Sequence, residues 1–174
     1  MLLIVKVASV LLVSVAMSMA LAHALELPGK LRLDKPTYMA VQTIYYPGFT
    51  IGGGFGEGLG LVATLILLIM TPSGTPAFWW ILAGLLALVA MHGAYWIVTH
   101  PVNKFWLKDQ NLSGLGGGFF AFNPMKRRGP EECDGDDAWK RARNRWEYSH
   151  VVRTILAALA LVSLTVGVAL QGMT

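Results

Sequence analysis

A single cysteine, Cys133, occurs in 174 residues, so the chain cannot close an internal disulfide and has no thiolate cage for a structural metal. Charge is scarce as well. Charged residues make up 14% of the chain, against about a quarter in an ordinary soluble domain, so a solvated globular surface of normal composition is excluded. The net charge of +4 is too unevenly placed to mark a nucleic-acid binder. The glycine-rich IGGGFGEGLG follows no strand signal and leads into an apolar run, which removes the context a phosphate-binding loop requires.

What the sequence has in quantity is apolar length. Hydrophobic residues are 55% of the chain and the mean hydropathy is +0.54. Four runs, at about residues 2–25, 50–70, 77–98 and 150–170, reach the ~20 residues needed to cross a ~30 Å hydrocarbon core. The expected fold is all-α, a four-transmembrane-helix bundle forming one integral membrane domain over residues 1–174. MALAHAL carries an A-x-A pattern of the kind signal peptidases cleave, but the stretch before it is long and nearly uncharged, so it is read as a retained span.

The basic residues orient the bundle. Twelve of the fourteen lie in the two stretches 26–49 and 99–149: Lys30, Arg32, Lys35, Lys104, Lys108, Lys126, Arg127, Arg128, Lys140, Arg141, Arg143 and Arg145. Only Lys6 lies on the other side, and Arg153 sits at a boundary. The positive-inside rule then places both stretches, including the long loop 99–149, in the cytoplasm. Both termini are expected on the periplasmic or outer face of the cell inner membrane.

Breakers are expected to divide the chain further. Pro28 and Gly29 should end the first helix, and Pro47 and Gly48 should break the chain before the second. Gly52, Gly56 and Gly60 recur every four residues, a small-xxx-small spacing that lets membrane helices approach closely. Glu57 lies within that stripe. GLGGGFFAFNPMKRRGPEECDGDD has no periodicity and should be irregular, its Phe119–Phe122 cluster offering a contact for the membrane interface or a membrane-protein partner. DAWKRARNRWEYSH is helical in pattern and should continue into the fourth span.

The histidines gather at the cytoplasmic end. His23 is in the last turn of the first span, His92 about two turns inside the third, His100 just beyond that span, and His150 in the first turn of the fourth. His92, Trp96 and His100 follow an i, i+4, i+8 row, and Glu147, His150 and Arg153 are successive i+3 neighbours. Glu147 could simply pair with Arg143 and Arg153 snorkel to the interface, but His92 is too deep and too short to snorkel. Glu147, His150 and Arg153 are therefore expected to line a cytoplasm-facing cavity, with His92 and His23 on its other walls.

AHALELPGKLRLD, YMAVQTIYYPGF, the HPVN after the third span and NRWEYSHVVR together resemble the anthrone oxygenase-like family of small four-helix membrane proteins. The resemblance runs over nearly the whole chain, and WEYSH…R is its most specific part. The GLGGGFFAFNPMKRRGPEECDGDD stretch departs from it as an apparent insertion. The resemblance implies oxidation of anthrones to anthraquinones with molecular oxygen, and on matching positions it points to Asn103, Trp146, His150 and Arg153.

An anthrone carries an acidic C–H beside an aromatic ketone, and its anion reacts directly with oxygen, so no cofactor is required in this reading. The reaction needs a base, an oxyanion partner and an apolar slot. A histidine suits the first role, with His150 expected first and His92 second. Arg153 and Asn103 suit the oxyanion, and Trp96, Trp146 and Tyr95 the slot, with His23 at its wall. Two alternatives stay open. One is a haem or a histidine-bound metal, although no E-x-x-H pattern repeats as in di-iron bundles. The other is a non-catalytic accessory subunit of a larger membrane complex.

Overall fold

The computed structural model describes residues 1–106, 122 and 137–172. Among these, every regular element is helical: α1 Leu2–Lys30, α2 Lys35–Gln42, a 3-10 turn Thr43–Tyr45, α3 Gly48–Ile69, α4 Pro76–Ala94, a π-helical turn Tyr95–Thr99, α5 His100–Trp106 and α6 Ala138–Leu170. Four helical stretches, Leu2–Lys30, Gly48–Ile69, Pro76–Asn103 and Ala138–Leu170, are long and apolar enough to cross a membrane. The expected four-helix architecture is the observed one.

Small residues set the helix seams. A methyl group added at Gly56 would fall 2.8 Å from the Ala16 backbone nitrogen, and one at Gly60 would touch Val13 and Leu12 at 3.6–3.7 Å. The glycine stripe is thus the α1–α3 contact, as its spacing predicts. A second seam joins α4 to α6, where Gly84 abuts the Ala160 carbonyl and Gly167 faces Ile81 and Ala77. Helix α1 also packs on α6, whereas α3 and α4 touch least of the neighbouring pairs. The apolar core between the seams includes Val13, Ala16, Leu67, Ile81, Leu88 and Leu164.

The helices run farther than the breakers imply. Pro28 lies inside α1, which continues to Lys30. The proline costs only the bond to the preceding turn, and the last turn is pinned by Lys30 to Glu26 (2.8 Å) and by Arg143 donating to the Leu31 carbonyl (3.3 Å). The third span likewise does not end at residue 98, and His100 is inside a helix rather than beyond it. Pro101 has no N–H for the Ile97 carbonyl, and that carbonyl accepts from Arg145 Nη2 instead (3.0 Å). The backbone widens into the π turn one step earlier, with the His100 N–H bonded to the Tyr95 carbonyl.

The stretch 26–49 is also more ordered than expected. Asp34 accepts from the Thr37 N–H (3.0 Å) and Pro36 occupies the first turn, so α2 has a regular N-cap. This hook carries Tyr38 and Tyr45 into the bundle, where they pack with Val102, Trp106, Trp139 and Trp146. Helix α6 does run unbroken from Ala138 into the fourth span. Its 33 residues, at ~1.5 Å each, give about 50 Å, so one end projects well beyond a ~30 Å hydrocarbon core.

Candidate functional site

Where α1, the hook, α3, α4 and α6 meet, they enclose a cavity of about 220 Å³. Of the residues singled out from sequence, His23, His92, Tyr95, Trp96, Asn103, Trp146, His150 and Arg153 line it. Glu147 and His100 do not.

Among the described residues the cavity is lined by one carboxylate, Glu57, and the fold neutralises it from two sides. Arg153 Nη2 pairs with Glu57 Oε1, and His92 Nδ1 lies 3.3 Å from Oε2. Both members of the arginine pair are buried. Trp96 sits one turn after His92 and donates its indole N–H to His92 Nε2 at 2.9 Å. An indole nitrogen only donates, so His92 Nε2 accepts and its proton resides on Nδ1, directed at Glu57. This arrangement leaves His92 no unoccupied lone pair for a substrate.

The same logic fixes His150. Arg153 Nη1 lies 3.2 Å from His150 Nδ1, and a guanidinium is a donor only. His150 therefore accepts at Nδ1 and carries its proton on Nε2. That Nε2 is buried and has no hydrogen-bond partner. Contrary to the sequence expectation, His150 as placed offers the cavity a donor rather than a base. Trp146 donates to Asn103 Oδ1 at 2.7 Å, and the Asn103 side chain is also hydrogen-bonded to Tyr95. Arg153 spans the floor, its guanidinium 5.2 Å from the Tyr95 ring centre.

Glu147 corrects the expectation that it would line the cavity beside His150. It is completely buried outside the cavity lining, where Tyr38 donates to its Oε1 at 2.8 Å and Lys30 lies at 3.6 Å. Nor does it pair with Arg143, which bonds Leu31 and Asn144 instead. Burial, reinforced by Glu147, raises the Tyr38 phenol well above its ordinary range, so it stays a neutral donor. Tyr45 is raised in the same way, by burial and by its 2.6 Å bond to Glu26. Sequence reading missed this hook as a wall of the site, although the Asp34-Lys35-Pro36-Thr37 cap signal was there to be read.

His100 is held behind the cavity. Its Nε2 meets the Phe122 carbonyl at 2.7 Å and its Nδ1 the Tyr95 hydroxyl at 3.2 Å. Of the aromatic cluster considered as a partner contact, Phe122 is exposed and packs edge-on to Trp96, while residues 119–121 lie outside the described residues.

His23 completes the wall. Its ring packs against Tyr45, Phe49, Trp146 and His150, with the His150 centroid at 4.2 Å and the rings inclined at 38°. Two imidazoles that ligate one iron from opposite sides are held apart by it, whereas these two pack ring against ring. Among the described residues, no group of three or more His, Cys, Asp or Glu side chains is placed to hold a metal ion.

Neither the curated proteins nor the solved structures provide a match to this chain. A family model does: the model for anthrone oxygenase covers residues 3–163, including every cavity residue named above. The chain therefore belongs to the anthrone oxygenase family.

Proposed function

We propose that this protein is a membrane-embedded oxygenase acting on a hydrophobic aromatic ketone of the anthrone class, in the cell inner membrane, with the cavity toward the cytoplasm. The observation that carries the reading is the donor set of one aromatic-walled cavity. Arg153 and the His150 Nε2–H are available as donors, and the one carboxylate lining the cavity among the described residues is already paired. Such a site favours a ligand that develops negative charge on oxygen.

In this reading the ketone lies among Trp96, Trp146 and Tyr95 with its oxygen toward the donors. Loss of one proton from the methylene carbon gives an enolate, whose charge the donors hold. The carbon then bonds to molecular oxygen. One oxygen atom stays as the new carbonyl, and the other leaves as water with the two methylene hydrogens, so no external reductant is consumed. The substrate is soluble in lipid, and a cavity between membrane helices suits its delivery from the bilayer.

The test is aerobic turnover of a simple anthrone by the purified protein in mild detergent. His150→Ala should remain folded and lose at least about a hundredfold in rate, the size typical of an oxyanion donor. Full activity in that variant would remove the donor role, and a wild-type rate no faster than detergent alone would remove the oxygenase reading.

A further inference from the structure

The donors described above leave the proton unaccounted for, since His92 and His150 both have the relevant lone pair occupied by an N–H donor. We infer that the base is His23, positioned by Glu26 as a histidine–carboxylate dyad on the last turns of α1. The inference rests on the oxygenase reading and deepens it.

Three observations support the assignment. His23 is the cavity-lining imidazole for which neither ring nitrogen has a hydrogen bond among the described residues. Its Nδ1 is buried without a partner and lies 3.8 Å from Glu26 Oε2, one helical turn on. That distance is beyond a hydrogen bond, but catalytic contacts are commonly loose before substrate binds and tighten afterwards. With Nδ1–H directed to the carboxylate, Nε2 keeps its lone pair for a molecule in the cavity.

Glu26 is itself built into place. It accepts from the Tyr45 hydroxyl at 2.6 Å and forms an ion pair with Lys30 Nζ at 2.8 Å. Lys30 is buried, reaches Glu147 Oε1 at 3.6 Å, and lies over the Tyr45 and Trp146 rings. The Glu147–Lys30–Glu26 chain behind the cavity thus acquires a purpose: it fixes the carboxylate that orients the base. Glu26 is 40% exposed, which gives the dyad contact with water for returning the proton.

The step balances within these groups. The methylene C–H breaks, its electron pair stays on the substrate as the enolate, and the proton bonds to His23 Nε2. The resulting imidazolium is stabilised by Glu26 through Nδ1–H. It returns that proton to the peroxide formed when the carbanion adds oxygen. Nε2 then takes the second methylene hydrogen as the carbonyl forms and the O–O bond breaks, and that proton turns the departing hydroxide into water.

Hydrogen exchange isolates this step from oxygen chemistry. Without oxygen and in deuterated buffer, the wild-type protein should exchange the methylene hydrogens of a bound anthrone, and in air it should oxidise the same compound. His23→Gln should slow exchange by at least about a hundredfold, as expected for loss of a general base. Added imidazole should restore part of the rate to His23→Ala, a rescue that a packing role would not give. Should the His23 variants fail to fold, Glu26→Gln leaves the ring stack intact. It should lower kcat by about tenfold or more, the scale for a carboxylate that orients a histidine, with KM unchanged. Wild-type exchange in folded His23→Gln, or an unchanged kcat in Glu26→Gln, would overturn the dyad while aerobic oxidation by the wild type kept the oxygenase reading. A wild-type protein that neither exchanges nor oxidises the compound would overturn both.

Discussion

The two ends of this bundle are stabilised by different physics. At the end holding Thr71 and Gly167, the contacts are backbone-close and apolar: Gly84 on Ala160, Gly167 on Ile81, and a core of aliphatic side chains. At the end holding His150, the core is polar and aromatic, with His23, Lys30, Glu57, Glu147 and Arg153 all buried. Burying charge costs several kcal/mol per ion unless it is paired and hydrogen-bonded. A bundle needing only to span the membrane could have repeated the first solution at both ends. We propose that the polar end is maintained for what it binds, while the glycine seams bring the helices into close contact.

The most disruptive way to break the polar end is to remove half of its buried ion pair. Glu57→Ala leaves Arg153 without its carboxylate partner and should cost about 3–5 kcal/mol, read as a large fall in melting temperature in detergent together with loss of turnover. A variant that melts like the wild type would mean the pair is solvated and the cavity wet. The apolar end should respond differently. A methyl at Gly167 would lie 2.6 Å from Ile81 Cγ1 and 3.2 Å from the Ala77 carbonyl, so Gly167→Leu should cost about 1–3 kcal/mol of overpacking. Its activity per folded molecule should be unchanged. Loss of turnover without loss of stability would show that the two ends are coupled.

The smallest effect is a null one that sharpens which side each end occupies. We propose that the polar end is cytoplasmic, from the asymmetry of the basic residues. A membrane-impermeant thiol reagent added to intact cells should leave Cys133 unlabelled, and labelling would invert the orientation.

These contrasts also mark what could be read from the sequence. The apolar end is written in local signals: hydropathy gave the spans, and the spacing of Gly52, Gly56 and Gly60 gave one seam. The α4–α6 seam was missed because Gly84 and Gly167 are isolated in their own helices and matter only against each other. At the polar end, helical spacing brought His150 and Arg153 together, and the grouping of histidines at one end anticipated the cavity. Spacing could not say that Glu147 turns to Tyr38 and Lys30, because those partners come from another helix and from the hook. Nor could it fix the histidine tautomers: Trp96 and Arg153 are visible as helix neighbours of His92 and His150, but which ring nitrogen each reaches depends on the side-chain orientations set by the packing. Pro28 misled for a related reason, since Arg143 of α6 holds the Leu31 carbonyl just beyond it.

The central claim, that the polar end is an oxygenase site centred on Arg153, is tested most directly by isotope incorporation. Purified protein in excess over an anthrone would be mixed with ¹⁸O-labelled molecular oxygen, and the product's mass followed through a single turnover beside the Arg153→Lys variant. The account predicts one labelled oxygen in the quinone, formed far faster with the wild-type protein than in detergent alone. It predicts slower formation with Arg153→Lys, because an ammonium lacks the guanidinium's planar fork. Product formed at the same rate by wild type, variant and protein-free detergent would contradict it.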